Sequence, residues 1–229
     1  MKTKKQTAEI VEALKKEYPV PACTLSYEDA WQLLVSVRLA AQCTDARVNV
    51  VTQELFAKYP SVQALADAQP EEIEEIVRPC GLGKSKARDI SAACRMLMAE
   101  YGGIVPDTME ELLKLPGVGR KSANLILGDI YKQPAIVADT HCIRISNRIG
   151  FVKSKDPVQV EKALRRVVAP EEGNDLCHRF VLHGRAVCTA RKAMCENCVL
   201  LSLCDEGRAF QKKNGQAPEP QEKAAALSR

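Results

Sequence analysis

The chain has 229 residues, 46% of them hydrophobic, with a formal net charge of +4. That is enough apolar mass for one large core or two small ones, which excludes a chain too polar to fold. The basic excess is mild and is compatible with a polyanionic partner without requiring one.

Aromatic residues supply only 4% of the chain. The apolar mass is mostly Ala, Leu, Val and Ile, a mixture that favours packed helices. The N-terminus, MKTKKQTAEIVEALKKEY, has no apolar signal core, and no stretch approaches a membrane span. The expectation is a cytoplasmic protein without a membrane partner, in which the 10 cysteines stay reduced. Six of them (Cys23, Cys43, Cys80, Cys94, Cys142, Cys177) are scattered, and most of these read as small buried apolar residues.

In chain order, residues 6–18 present Ile10, Val11, Leu14 and Tyr18 on one helical face, and Pro19 and Pro21 end that helix. Residues 27–41 are apolar nearly all round, the pattern of a central core helix. Thr44 or Asp45 then caps a helix over about 46–58, which Tyr59-Pro60 breaks. A helix near 70–78 carries Glu71, Glu72, Glu74 and Glu75 as a solvated face. Arg78–Lys86, RPCGLGKSK, is a Gly-rich basic turn that leads into a helix over about 85–100. Thr108 with Glu111 fits a capping box for a short helix that ends at Leu115. Further helices are expected at about 140–149, 156–168 and 174–187, and a polar tail that reads as disordered follows Phe210. No β-strand pattern emerges.

LPGVG, between two of these helices, has the form of a helix-hairpin-helix. Pro116 stops the first helix. Gly117 and Gly119 permit backbone conformations that side chains resist and leave room for a close approach. The amides of the next helix, from Arg120, then face outward, where such groups bind phosphate. An ordinary tight turn between helices would carry the same residues.

Lys121 stands in the first turn of that helix. The positive end of a helix dipole disfavours an ammonium, and burial acts in the same direction. An amine freed of its proton is a nucleophile that can form a Schiff base. The bland reading is a surface lysine paired with phosphate, like its neighbours Arg120 and Lys114. Asp139 precedes a helical pattern, so it reads as an N-cap. A carboxylate near the lysine would also move a proton or stabilise positive charge at an anomeric carbon.

Cys188, Cys195, Cys198 and Cys204 form C-x6-C-x2-C-x5-C. Four thiolates in so short a segment can enclose one metal centre, and the spacing leaves zinc and an iron–sulfur cluster both open. Arg179, Arg185, Arg191 and Lys192 make the surroundings basic.

Together LPGVGRKSANLIL, VADTHCIRISNRIG, LHGRAVC and the four cysteines resemble the endonuclease III family of the helix-hairpin-helix DNA glycosylase superfamily, over about residues 6–207. The resemblance implies an all-α protein of two lobes. Residues 23–134 would form a six-helix barrel with the hairpin. Residues 1–22 and 135–210 would form a helical lobe holding a [4Fe-4S] cluster on Cys188, Cys195, Cys198 and Cys204, and residues 211–229 the tail.

Lys121 matches the family's Schiff-base lysine and Asp139 its catalytic aspartate. Gln42 matches the glutamine that fills the gap left by an extruded base, and Leu82 the leucine wedged into the duplex. Gly117, Gly119, Arg120, Arg144, Arg191 and Lys192 are the further expected DNA contacts. The implied activity is a DNA glycosylase and abasic-site lyase acting as a monomer on damaged double-stranded DNA with oxidised pyrimidines, nucleoid-associated when bound. Mismatch-type glycosylases of the same superfamily and a non-catalytic iron–sulfur DNA-binding protein are the competing readings. Lys121 argues against the first, and Lys121 with Asp139 against the second. Cys43 and Cys142 stand where the family often has small or apolar residues, and Cys142, close to Asp139, is a candidate for tuning the pocket or its redox sensitivity.

Overall fold

The computed structural model describes residues 2–215. Among the described residues there are twelve α-helices and no strand; the only β-pairing is an isolated antiparallel bridge between Cys188 and Ala193. The chain divides into two compact units, Ala22–Val137 and a second formed by Met1–Pro21 with Ala138–Arg229. No described helix is long and apolar enough to cross a membrane.

In the second unit, α1 (Lys4–Glu17) starts at a capping box between Thr3 and Gln6. It buries Ile10, Val11 and Leu14. After Ala138 come α9 (Thr140–Ile149), α10 (Pro157–Val167), α11 (Gly173–Ala186) and α12 (Asp205–Lys213). α11 packs on α9 and α1, while α10 and α12 pack on α9. Arg179 Nε fastens α11 to the end of α1 by donating to Tyr18 O at 3.1 Å.

The unit Ala22–Val137 holds α2 (Ala30–Leu39), α3 (Asp45–Lys58), α4 (Val62–Asp67), α5 (Pro70–Val77), α6 (Gly83–Tyr101), the four-residue α7 (Met109–Leu112) and α8 (Arg120–Asp129). α6 is its spine, packed against α4 and α5 on one side, and α2 packs on α8, α3 and α6. Leu33, Leu39, Leu55, Leu65, Ile73, Leu97, Leu112 and Ile126 are excluded from water. Each such aliphatic side chain contributes roughly 1.5–3 kcal/mol relative to exposure. Thr44, Ser61 and Thr108 cap α3, α4 and α7 through their hydroxyls.

Three elements depart from the sequence expectation. α2 is shorter than 27–41, because Gln32 Oε1 accepts from the amides of Glu28 and Asp29 and starts the helix at Ala30. α4 was not expected from the sequence; Val62, Leu65 and Ala66 stand at helical spacing and form its buried face, but six residues are too short a window for that period to mark a helix. α12 carries the chain in helix through Lys213 and buries Gln211, so residues 211–213 are not a disordered tail. Residues 216–229, the rest of that expected tail, lie outside the described residues. Glu71, Glu72 and Glu75 are exposed on α5 opposite its buried Ile73, Ile76 and Val77, the solvated face that was expected. Of the six scattered cysteines, Cys80, Cys94, Cys142 and Cys177 are buried, and Cys23 and Cys43 are half-buried.

Candidate active site and metal centre

Lys121 is the second residue of α8 and is exposed. The burial that sequence reasoning invoked to strip its proton is therefore not supplied by the protein itself. Gly119 is the N-cap of α8 and offers no side chain to bond the first amides. The hairpin is closed by Val118 N–H donating to Leu115 O at 3.1 Å.

The two hairpin glycines differ. Gly117 has φ +76°, and a Cβ there would stand 2.8 Å from Arg38 Cδ and 2.9 Å from Asp89 Cβ. It is required by the protein's own packing. Gly119 has φ −102° and ψ 174°, extended backbone open to any residue, and a Cβ there would meet nothing within 4 Å. Only Gly119 leaves open space for an approaching partner.

Gln42 and Leu82 are two of three described non-glycine residues with positive φ, at +56° and +53°. A left-handed conformation costs an L-residue roughly 1–2 kcal/mol. Gln42 is exposed, and Leu82 keeps 56% of its surface in water at the start of α6. An apolar side chain held out on a strained turn is an unusual expenditure for stability alone. Behind these turns, Arg38 pairs with Asp89 at 2.6 Å and donates to Ser85 Oγ at 3.3 Å, tying α2 to α6 beside the hairpin. The sequence carried no local signal for that pair, because its partners lie 51 residues apart.

In the other unit, Asp139 caps α9. Its Oδ1 accepts from Cys142 N–H at 2.7 Å, so the cap expectation holds geometrically. The side chain stays half-buried. Cys142 is fully buried, and its thiol is pushed well above the usual range, first by a hydrogen bond with Cys177 and then by burial. A raised thiol holds its proton and is a weaker nucleophile than a thiolate.

Arg144, expected to reach DNA, instead turns inward. Its Nε and Nη2 donate to Cys188 O at 3.1 and 3.0 Å, and Nη2 also donates to Gly184 O at 3.2 Å and lies 3.1 Å from His141 Nδ1. Arg148, one helical turn on and unremarked in the sequence, donates to Cys188 Sγ at 3.2 Å and to Thr189 O at 2.7 Å. Arg191 and Lys192 are exposed on the loop these arginines hold.

Cys188, Cys195, Cys198 and Cys204 line one small cavity, partly open to solvent, together with Arg148 and His183. Burial pushes the Cys198 thiol up to about 11 and raises those of Cys195 and Cys204. Thiolates in such a place need a positively charged guest. Among the described residues no three His, Cys, Asp or Glu side chains converge on one ion. Four cysteine thiols are a donor set that suits either a zinc ion or an iron–sulfur cluster. Leu200 N–H points at Cys198 Sγ from 3.4 Å, the kind of bond that tunes cluster sulfurs. His183, buried in α11, bridges Tyr18 Oη at 3.2 Å and Cys198 Sγ at 3.5 Å, and burial lowers its pKa to about 4. Its only sequence signal was its place in LHGRAVC.

Residues 35–170 match the model of the HhH-GPD superfamily base excision DNA repair proteins, and the chain belongs to that superfamily. Endonuclease III of Synechocystis sp. is 44% identical over 211 residues, which span 91% of this chain and 96% of the relative. The solved structure of a trapped endonuclease III–DNA covalent intermediate superposes with a TM-score of 0.86 at 41% identity, covering 92% of this chain and all of that one. Within the superfamily the chain is a member of the endonuclease III family, a DNA glycosylase with lyase activity at abasic sites that works in base excision repair. A thermostable thymine-DNA glycosylase, 21% identical with a TM-score of 0.80, shares the fold.

Proposed function

We propose that this enzyme removes oxidised pyrimidines from duplex DNA, with Lys121 as nucleophile and Asp139 as the carboxylate that serves it. The observation that carries the assignment is an exposed lysine in the first turn of a hairpin-led helix, in a chain similar to a protein solved as a covalent DNA intermediate. The Lys121 amine attacks C1′ of the damaged nucleotide and displaces the base. The bond to C1′ becomes an imine as the sugar ring opens and the amine loses its protons. Loss of a C2′ proton then expels the 3′ phosphate by β-elimination, and water releases the sugar remnant from Lys121. The Asp139 carboxylate stabilises positive charge at C1′ and accepts a proton, while its second oxygen remains the cap of α9.

Exposure of Lys121 in the free protein fits this order of events. Bound DNA would desolvate the amine and disfavour its charge when the nucleophile is needed. Gly119 and the first amides of α8 would take a backbone phosphate with Arg120. Gln42 and Leu82 would enter the duplex at the lesion, where unstacking costs least. Arg191 and Lys192 would meet phosphates farther along, whereas Arg144 acts as a fastening of the loop rather than as a DNA ligand. Cys188, Cys195, Cys198 and Cys204 would hold a [4Fe-4S] cluster, which supplies a structural fastening for the segment that carries those two cations. The residues 22–137 would act as the barrel lobe and the remainder as the cluster lobe, in a monomer placed in the cytoplasm.

Borohydride reduction tests the nucleophile. The protein should become covalently bound to duplex DNA containing thymine glycol or an abasic site, and Lys121→Ala should abolish the adduct. Trapping that persists in the variant sinks the assignment.

A further inference from the structure

Lys86 is 0% exposed in the interior of the 22–137 unit. Its ammonium donates to two backbone carbonyls, Leu39 O at 2.8 Å and Cys80 O at 2.9 Å. Leu39 is the last residue of α2, where unpaired carbonyls concentrate negative potential. Cys80 ends the 3₁₀ turn Arg78–Cys80. Each carbonyl lies just ahead of a strained turn: Gln42 follows Leu39 by three residues, and Leu82 follows Cys80 by two. The side chain therefore holds the bases of two turns that are far apart in sequence and both left-handed.

We propose that Lys86 is a positioning residue that fastens the Gln42 and Leu82 turns to each other, so that both side chains enter the duplex as one rigid probe. The proposal rests on the reading of Gln42 and Leu82 as duplex-inserting residues. Conformations this unfavourable persist only where their surroundings over-determine them, and a doubly hydrogen-bonded ammonium is such a constraint. Burial lowers the pKa of Lys86, and Arg38 acts in the same direction, while the neighbouring thiols of Cys80 and Cys43 oppose them. A polar side chain 0% exposed and spent on two carbonyls is an arrangement that packing alone would not call for. The Arg38–Asp89 ion pair joins the same two helices independently. Removal of the Lys86 charge should accordingly loosen the turns without parting α2 from α6.

The test compares Lys86→Met, which keeps the bulk and removes the donors, with Lys86→Gln, which keeps an N–H donor. Single-turnover β-elimination is measured on an abasic site in duplex DNA and on a single-stranded abasic oligonucleotide, which has no stack to open. 2-Aminopurine opposite the duplex lesion reports insertion. Lys86→Met should lose about tenfold or more on duplex and stay within about twofold of the parent on the single strand, with the fluorescence change reduced and Lys86→Gln between the two. An equal loss on both substrates means a general structural role and overturns the proposal, as does no loss on either.

Gln42→Ala and Leu82→Ala, run alongside, separate the two levels of failure. If they show the duplex-specific loss and Lys86→Met does not, the fastening alone is wrong. If they show none, the reading of the two turns is wrong and the fastening falls with it. Should Lys86→Met not accumulate as folded protein, Lys86→Gln carries the same comparison.

Discussion

Asp139 caps α9 and, under the proposed function, also serves the nucleophile, and the two duties can be separated by substitution. As a cap it needs only an oxygen acceptor for Cys142 N–H. Asparagine supplies one about as well as aspartate. As a partner of the nucleophile it needs a charge, which asparagine lacks. Asp139→Asn should therefore unfold within a few tenths of a kcal/mol of the parent in denaturant titrations, yet lose base excision by a factor of about 100 or more. Asp139→Ala should lose both, with about 1 kcal/mol of stability gone. An Asp139→Asn protein that keeps its activity would show that the residue is only a cap. The cap was legible locally, because it is defined by residues three apart; the catalytic assignment came from the resemblance. The inward turn of Arg144 was not legible. Its acceptors, Gly184 and Cys188, lie 40 and 44 residues away, and an arginine on an exposed-looking helix gives no sign of them.

The hairpin is an element whose two glycines serve different ends. Gly117→Ala would bring a Cβ against Arg38 and Asp89 at a left-handed position. A loss of roughly 1–3 kcal/mol of stability should follow, with a displaced hairpin and weaker activity. Gly119→Ala meets no neighbour and needs no unusual φ, so thermal unfolding should be nearly unchanged. Its methyl group would instead face the phosphate that the α8 amides are proposed to receive, and the dissociation constant for abasic duplex should then rise. Equal stability in both variants would contradict the packing account of Gly117. Equal DNA affinity of Gly119→Ala and parent would contradict the phosphate grip. The sequence motif treats the two glycines alike, and only the long-range neighbours of Gly117 tell them apart.

At the scale of the whole molecule, each unit has an apolar core, and Ile10, Leu14, Ile145, Leu164 and Phe180 are buried in the one that holds the four cysteines. The 22–137 unit has an aliphatic core around α6. The segment from Cys188 to Cys204 has one 3₁₀ turn and an isolated bridge, with Arg144, Arg148 and His183 as its anchors. A metal centre would supply the remainder of its order. Purified protein should thus contain iron and inorganic sulfide and absorb broadly in the visible. Removal of the iron should raise amide exchange in 188–204 while α6 keeps its protection. A colourless protein with stoichiometric zinc, or a segment equally protected without metal, would refute this.

The sequence by itself determined the helical class, most helix ends, the nucleophile and cap candidates and the four-cysteine segment. Each of these rests on interactions a few residues apart: caps, breaks, periodic apolar faces and ligand spacing. The tertiary structure decided what those residues meet. It placed Lys121 in solvent and Arg144 indoors, confined the need for a glycine to Gly117, and set Lys86 between two turns whose backbones approach only in the folded chain. Lys86 and Leu39 are 47 residues apart, Arg144 and Cys188 44, and in a sequence a buried lysine reads like any other until the chain closes over it. The hairpin was readable as a motif, whereas the partners that brace it, Arg38 and Asp89, became readable only when α2 and α6 packed together.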